Sequence, residues 1–456
     1  MPKGTRAIKR LTCGSLTLAG LVLSANANAQ MSLSTAVDLA LHNDPKVRMA
    51  EADLDKAKAA LSQAKAAYVP SVGVNGGYGS STGVPLNVPT VFQMNSQSLL
   101  FNFSQRDNLR SAASGVKAAE LGLAEARDKI AEDVVITYID LDNAEQRQTA
   151  MTEEYGYATR LVSIVKDRVE AGQDTRLQAD QADITADQIQ VNELNTHDEI
   201  ETLTDHLSRL VGLPGSPIIT IASSIPTLPA PGTFVDTGSV SFGVQSAFAS
   251  AKSKQEAAFG ESRYLYRPQL SFGANYSRIS TAHTNYPLYY PGFAGQNGLS
   301  DNALSVDISI QIPLFDRAHV ERAHVSAAEA AHARYEAEDA RNQYLEGRFK
   351  LVHSTDVLVA RCKLAEAQQL YAKDELDATL AQLTANSADT GAPQLTPKDE
   401  QNARIQVSAR TIDYLNDELQ LSQTEVNLLR QTGQLDDWLK LAIAAPGATT
   451  VQPTNH

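Results

Sequence analysis

The sequence predicts a mainly α-helical protein with a small β part, built from long antiparallel coiled-coil hairpins and four β-strands. Three observations predict it. Apolar residues recur every seven positions over segments much longer than an ordinary globular helix. Strand-like alternation is confined to two short pairs of segments. The order helix, strand pair, helical hairpin occurs twice.

The first element is a secretion signal, residues 1–29. Lys9 and Arg10 precede an apolar stretch from Leu11 to Leu23, and Ala27-Asn28-Ala29 supplies an A-x-A cleavage pattern. Cys13 stands at the beginning of that stretch and not after it, so no N-terminal lipid anchor is expected. The 456-residue chain carries a net charge of −14. Loss of Lys3, Arg6, Lys9 and Arg10, with no acidic residue in the segment, leaves −18. Such an excess of acid argues against a nucleic-acid partner, because phosphate binding needs surplus Lys and Arg. After residue 30 no apolar run reaches 18 residues, so no helix is expected to span a membrane. Cleavage also leaves Cys362 alone, and it reads as a small buried side chain.

The helices come next. Leu109, Val116, Leu123 and Ile130 repeat every seven residues, with Ala112, Ala119 and Ala126 on the adjacent seam. Leu177, Ile184 and Val191 repeat the spacing, as do Ile405, Ile412, Leu419 and Val426. A 3.5-residue average period keeps one stripe against a partner helix, and alanines allow close approach. Ala171-Gly172-Gln173-Asp174 and Thr390-Gly391-Ala392-Pro393 interrupt these runs, so Gly172 and Gly391 mark hairpin turns. The run from Gln105 to Glu170 would extend about 100 Å at ~1.5 Å per residue, a reach that no compact domain requires.

Strand signals lie at Val72–Tyr78 and Ser98–Phe103, and again at Leu270–Tyr276 and Leu304–Ile310. Alternation is clear in Leu99/Phe101/Phe103 and in Leu304/Val306/Ile308/Ile310. The pairs belong to a duplication. Tyr68-Val69-Pro70 matches Tyr266-Arg267-Pro268 at an offset of 198, Phe103 matches Phe315 at 212, and Gly212 matches Gly433 at 221. The organisation is therefore a first repeat at 30–212, a linker at 213–238, a second repeat at 239–440 and a C-terminal tail at 441–456. The linker holds Pro214, Pro217, Pro226, Pro229 and Pro231, so it is expected to run extended. The loop Ser280–Asp301, rich in Tyr, Pro and Gly, is expected to face outside.

Four strands cannot close a barrel with a lumen, and open edges cannot face lipid because their N–H and C=O groups would lack partners. Strands that cross a membrane here must come from several chains, with the long helices side by side as a wall.

At this point the chain resembles the TolC family of outer-membrane efflux proteins, over roughly residues 32–440. The residues that carry the resemblance are Leu33-Ser34-Thr35-Ala36 with Ala40-Leu41-His42-Asn43-Asp44-Pro45, then Tyr68-Val69-Pro70, Gly172 followed by Ala182, and Leu428 through Leu435. The resemblance implies a homotrimer, with a 12-stranded outer-membrane β-barrel above an α-helical barrel in the periplasm of a Gram-negative cell. It implies a passive efflux or type I secretion channel contacting outer-membrane lipid, a periplasmic adaptor protein and an inner-membrane transporter. It further implies acidic residues around the periplasmic entrance, where Asp399 falls on the first acidic position, with Asp174 and Asp180 nearby. Asn402 and Gln178 replace acids at other positions, and the second repeat lacks the Asn-Pro pair. A periplasmic coiled-coil adaptor or scaffold is the rival reading, but adaptors have one hairpin rather than two in tandem.

No catalytic constellation stands out. His319 and His324 are five apart and His324 and His332 eight, not the four that puts two ligands on one helix face. Gly76-Gly77 and Gly79 lack the following helix that a phosphate cradle needs. No enzyme activity, metal or cofactor is expected.

Overall fold

The computed structural model describes residues 29–77, 90–229, 240–279, 302–385 and 395–444. In the first repeat β1 (Ala29–Met31) leads into α1 (Leu33–Asn43) and α2 (Pro45–Ala66). The strands β2 (Ser71–Gly76) and β3 (Thr90–Phe101) follow, then α3 (Phe103–Glu170) and α4 (Arg176–Leu210). β4 (Ile218–Thr220) lies between the repeats, parallel to β1. The second repeat has α5 (Phe242–Ser262), β5 (Gln269–Ile279), β6 (Asn302–Gln311), α6 (Arg317–Ala385) and α7 (Pro397–Thr432), and the short α8 (Leu435–Ala444) follows. Equivalent helices are close in length, with 68 and 69 residues in the long helices α3 and α6.

Local chemistry sets the joints. Asp44 caps α2 through the Lys46 amide at 2.6 Å, and Pro45 opens the helix, where its missing N–H costs nothing. Asn43 donates to the Val211 carbonyl at 2.9 Å. Gly212 ends α4 at φ +79°, and a Cβ there would stand 2.6 Å from the Asn43 Cβ. Asn43, Asp44, Pro45 and Gly212 thus make one joint.

The main core sits where α1, α3, α4, α7 and α8 meet. Leu33, Val134, Leu141, Leu207, Val426 and Trp438 are buried around Tyr138. The Tyr138 hydroxyl donates to the Met31 carbonyl at 2.7 Å and accepts from the Ile221 amide at 2.6 Å, which ties α3 to β1 and to the chain after β4. A second cluster, with Leu161, Val165, Ala186, Ile189 and Ile405, lies toward the α3–α4 turn. α3 and α5 meet on small residues, where a Cβ at Gly115 or Gly122 would touch Ser253 or Ser246. Gly122 is therefore a close-approach position.

The packing of neighbours gives a single layer. α2, α3, α5 and α6 follow one another in the part near the sheet, and α4, α3, α7 and α6 farther away. The sheet has the order β2-β3-β5-β6 with every pair antiparallel, so the two repeats join at β3–β5. Sheet and helical layer both end at the first repeat's outer elements on one flank and at the second repeat's on the other.

Several expectations need correction. Phe103 begins α3 and is not a strand residue. A register shift between Leu99 and Phe101 pairs Leu99 with Ser271 and Phe101 with Leu270, which breaks the alternation read through Leu99 and Phe101. The stripe Leu177, Ile184 and Val191 is exposed, while Ala182, Ile189 and Thr196 form the seam against α3. The linker includes a 3₁₀ turn at Ala222–Ser224. Cys362 is half-buried, and burial pushes its thiol up, aided by Asp417, Glu418 and Glu425. The signal through residue 28, the loop Ser280–Asp301 and Gly391 lie outside the described residues.

Candidate functional site

Two regions bear on passage through such a wall, the hairpin tip and the sheet. At the tip Gly172 takes φ +71°, a left-handed conformation that suits glycine, and turns α3 into α4. Thr175 then caps α4 reciprocally with Gln178. Asp174 is almost covered. Its carboxylate accepts from Arg168 at 2.9 Å, and Lys398 of α7 lies 3.7 Å away. The Arg168 hydrogen bond is the main reason that the Asp174 carboxyl is held below its usual range.

Asp399 belongs to the same tip. One of its oxygens accepts from the Thr396 amide at 2.7 Å and the Thr396 hydroxyl at 2.8 Å, a capping box for α7. Arg168 feels Asp174 first and Asp399 as a smaller influence, both raising its pKa. Asp180 is exposed on α4. The structure therefore brings Asp174 and Asp399 together around Arg168 and Lys398 and leaves Asp180 outside the cluster. The sequence reading missed those two cations. Lys398, adjacent to Asp399, was the available signal.

The strand register sorts the sheet into two faces. Cross-strand partners in antiparallel pairs point the same way. One face carries Val72, Val74, Met94, Phe272, Tyr276 and the row Leu304/Val306/Ile308/Ile310. The β6 row is between 63 and 72 % exposed, so no described residue covers it. The other face carries Asn75, Gln93, Asn95, Gln97, Asn275, Ser305, Asp307 and Ser309. A sheet with one bare apolar face and one polar face fits lipid outside and water inside. Its edges β2 and β6 have no partner strand among the described residues. The helical flanks match, with Leu177, Ile184 and Val191 exposed on α4 and Val357, Leu364 and Tyr371 on α6.

Along the wall some carboxyl groups are trapped. Burial pushes Glu425 up to about 7, and burial followed by the Asp413 charge does the same for Glu154. Asp128 rises to about 6 through burial and then Asp436 and Glu125, against the pull of Arg430. No group of three or more metal-type ligands occurs among the described residues.

This geometry, a single helical layer joined to a two-faced four-stranded sheet, has counterparts among known proteins. The sequence model of the outer membrane efflux protein family matches residues 36–213. That match covers the first repeat, and the second repeat follows the same order of elements. Solved structures share the fold at low identity. The outer membrane protein VceC of Vibrio cholerae superposes with a TM-score of 0.69 at 19 % identity, covering 89 % of this chain and 95 % of that one. The Campylobacter jejuni CmeC outer membrane channel gives 0.69 at 15 % identity over 97 % of each chain. The open state of the Neisseria gonorrhoeae MtrE outer membrane channel gives 0.66 at 16 % identity over 89 % of each. No curated protein matches the sequence.

Proposed function

We infer that this chain is one subunit of a trimeric outer-membrane efflux conduit, through which a pump's substrates leave the cell passively. Outer membrane efflux channels are trimers that work with an adaptor and an inner-membrane pump. One observation carries the reading here. The sheet and the helical layer stay open at the same two flanks, and the sheet's apolar face is bare. A head-to-tail contact of one flank with the other closes into a ring if its rotation fits. Three copies supply twelve strands, which satisfies the edge groups of β2 and β6 and removes open edges from lipid.

The hairpin tip is the periplasmic entrance in this reading. Asp174 joins the α3–α4 turn to Lys398 at the start of α7, so it holds the two hairpins of a subunit together. Adaptor docking would loosen that tie and dilate the opening. Asp174 then serves as the latch and Asp399 as the cap of α7, and the entrance carries less free negative charge than an unpaired acidic ring would. The test is planar-bilayer recording of the purified protein. Discrete conductance steps support the conduit, and recovery in the soluble periplasm without detergent would end it.

A further inference from the structure

Among the positions at which the two repeats differ in the sheet, one supplies a charge. Asn95 on β3 and Asp307 on β6 are equivalent by the 212-residue offset that relates Phe103 to Phe315. Each lies across the pair from a glycine, Asn95 from Gly73 and Asp307 from Gly273. Each also fills the space above its glycine. A Cβ on Gly73 would meet the Asn95 Oδ1 at 2.9 Å, and one on Gly273 would meet the Asp307 Oδ1 at 2.8 Å. The two glycines thus make matching seats, one holding an amide and the other a carboxylate.

Asp307 is on the polar face, with Asn275, Ser305 and Ser309. Among the described residues of that face it is the single charged side chain. It has no hydrogen bond or ion pair to any other described residue, whereas Asp174 and Asp399 at the tip are both engaged. Asp307 is therefore a carboxylate without an internal partner on the polar face, unlike Asp174 and Asp399 at the tip.

We propose that Asp307 forms a ring of three lumen carboxylates that recognises cations, multivalent ones above all, and sets the charge preference of the outer exit. The proposal rests on the conduit reading. A ring of like charges in a low-dielectric wall raises the local concentration of counter-ions and retards them in proportion to valence. The Debye length is ~10 Å at 0.1 M salt and ~3 Å at 1 M. The effect belongs to low ionic strength and should fade in concentrated salt.

The test uses the full-length trimer in planar bilayers, with hexaamminecobalt(III) added on the barrel side. In 0.1 M salt the wild-type current should fall, and the block should weaken in 1 M salt. Asp307→Asn copies the amide seat of the first repeat, so it should keep the fold and lose the block. Asn95→Asp doubles the ring and should lower the half-blocking concentration. Asp399→Asn, at the far end, should leave the block unchanged. The same half-blocking concentration in Asp307→Asn as in wild type would overturn the proposal, as would a conducting wild type that shows no block. A purified trimer that forms no pore would instead contradict the conduit reading.

Discussion

Glu425 offers a prediction whose size follows from the structure. It sits on α7 at 6 % exposure, in the seam with α6, where its charge reaches the Cys362 thiol. Burial lifts its pKa from 4.5 to about 7. Below pH 4.5 the group is protonated both folded and unfolded, and it has no effect on stability. Between pH 4.5 and 7 the unfolded chain loses the proton that the fold retains, so the fold is progressively penalised. Above pH 7 the penalty is complete. The interval from 4.5 to about 7 corresponds to about 3 kcal/mol per chain. The wall is one helix thick and close to water on both sides, and solvent screening reduces the working figure to about 1–2 kcal/mol. Glu425→Gln is the neutral isostere. It should raise the guanidinium midpoint at pH 8 by that amount and leave it unchanged at pH 4.5. Trp438, the single tryptophan, is 3 % exposed in the main core and reports unfolding by fluorescence. An equal effect of the substitution at both pH values, or destabilisation at pH 8, would refute the reasoning.

Other substitutions probe the tip, the core and the sheet. Lys398→Ala or Asp174→Asn cuts the tie between the hairpins, so single-channel conductance should rise and cells should become more sensitive to a large antibiotic excluded by the intact outer membrane. Unchanged conductance in both variants would remove the latch. Tyr138→Phe leaves the Met31 carbonyl and the Ile221 amide without their partner, which should cost about 2–4 kcal/mol in denaturant unfolding. Val306→Lys puts a cation on the apolar face at about 2–4 kcal/mol if it lies near the bilayer midplane. Ser305→Lys, one residue away on the polar face, should insert normally in the same heat-modifiability assay on gels.

How much was legible depended on whether the signal was local. The seven-residue period gave the long helices, because a helix face needs only its own spacing to be recognised. Ile405, Ile412 and Val426 are buried as that period requires. The same period misled at Leu177, Ile184 and Val191, since an apolar stripe does not say whether its partner is in the same chain. Here the stripe lies on the outer flank and the in-chain seam uses Ala182 and Ile189. The strand faces depended on register, which the bulge after Leu99 altered by one residue. At the tip the carboxylates Asp174 and Asp399 could be found by spacing, but their partners Arg168 and Lys398 come from two hairpins more than 220 residues apart. The asymmetry of Asn95 and Asp307 was present in the repeat offset, and its meaning required the glycine seats.

Closure of the ring is the claim on which the rest depends. Val191→Cys on α4 and Tyr371→Cys on α6 place one thiol on each outer flank, in a chain whose native Cys362 is replaced by alanine. Treatment of intact cells with a flexible bis-maleimide, followed by denaturing gels, should give a ladder of monomer, dimer and trimer that stops at three. A ladder that continues beyond three copies, or a band that stays at the monomer, would contradict the account of the chain as one third of a tube.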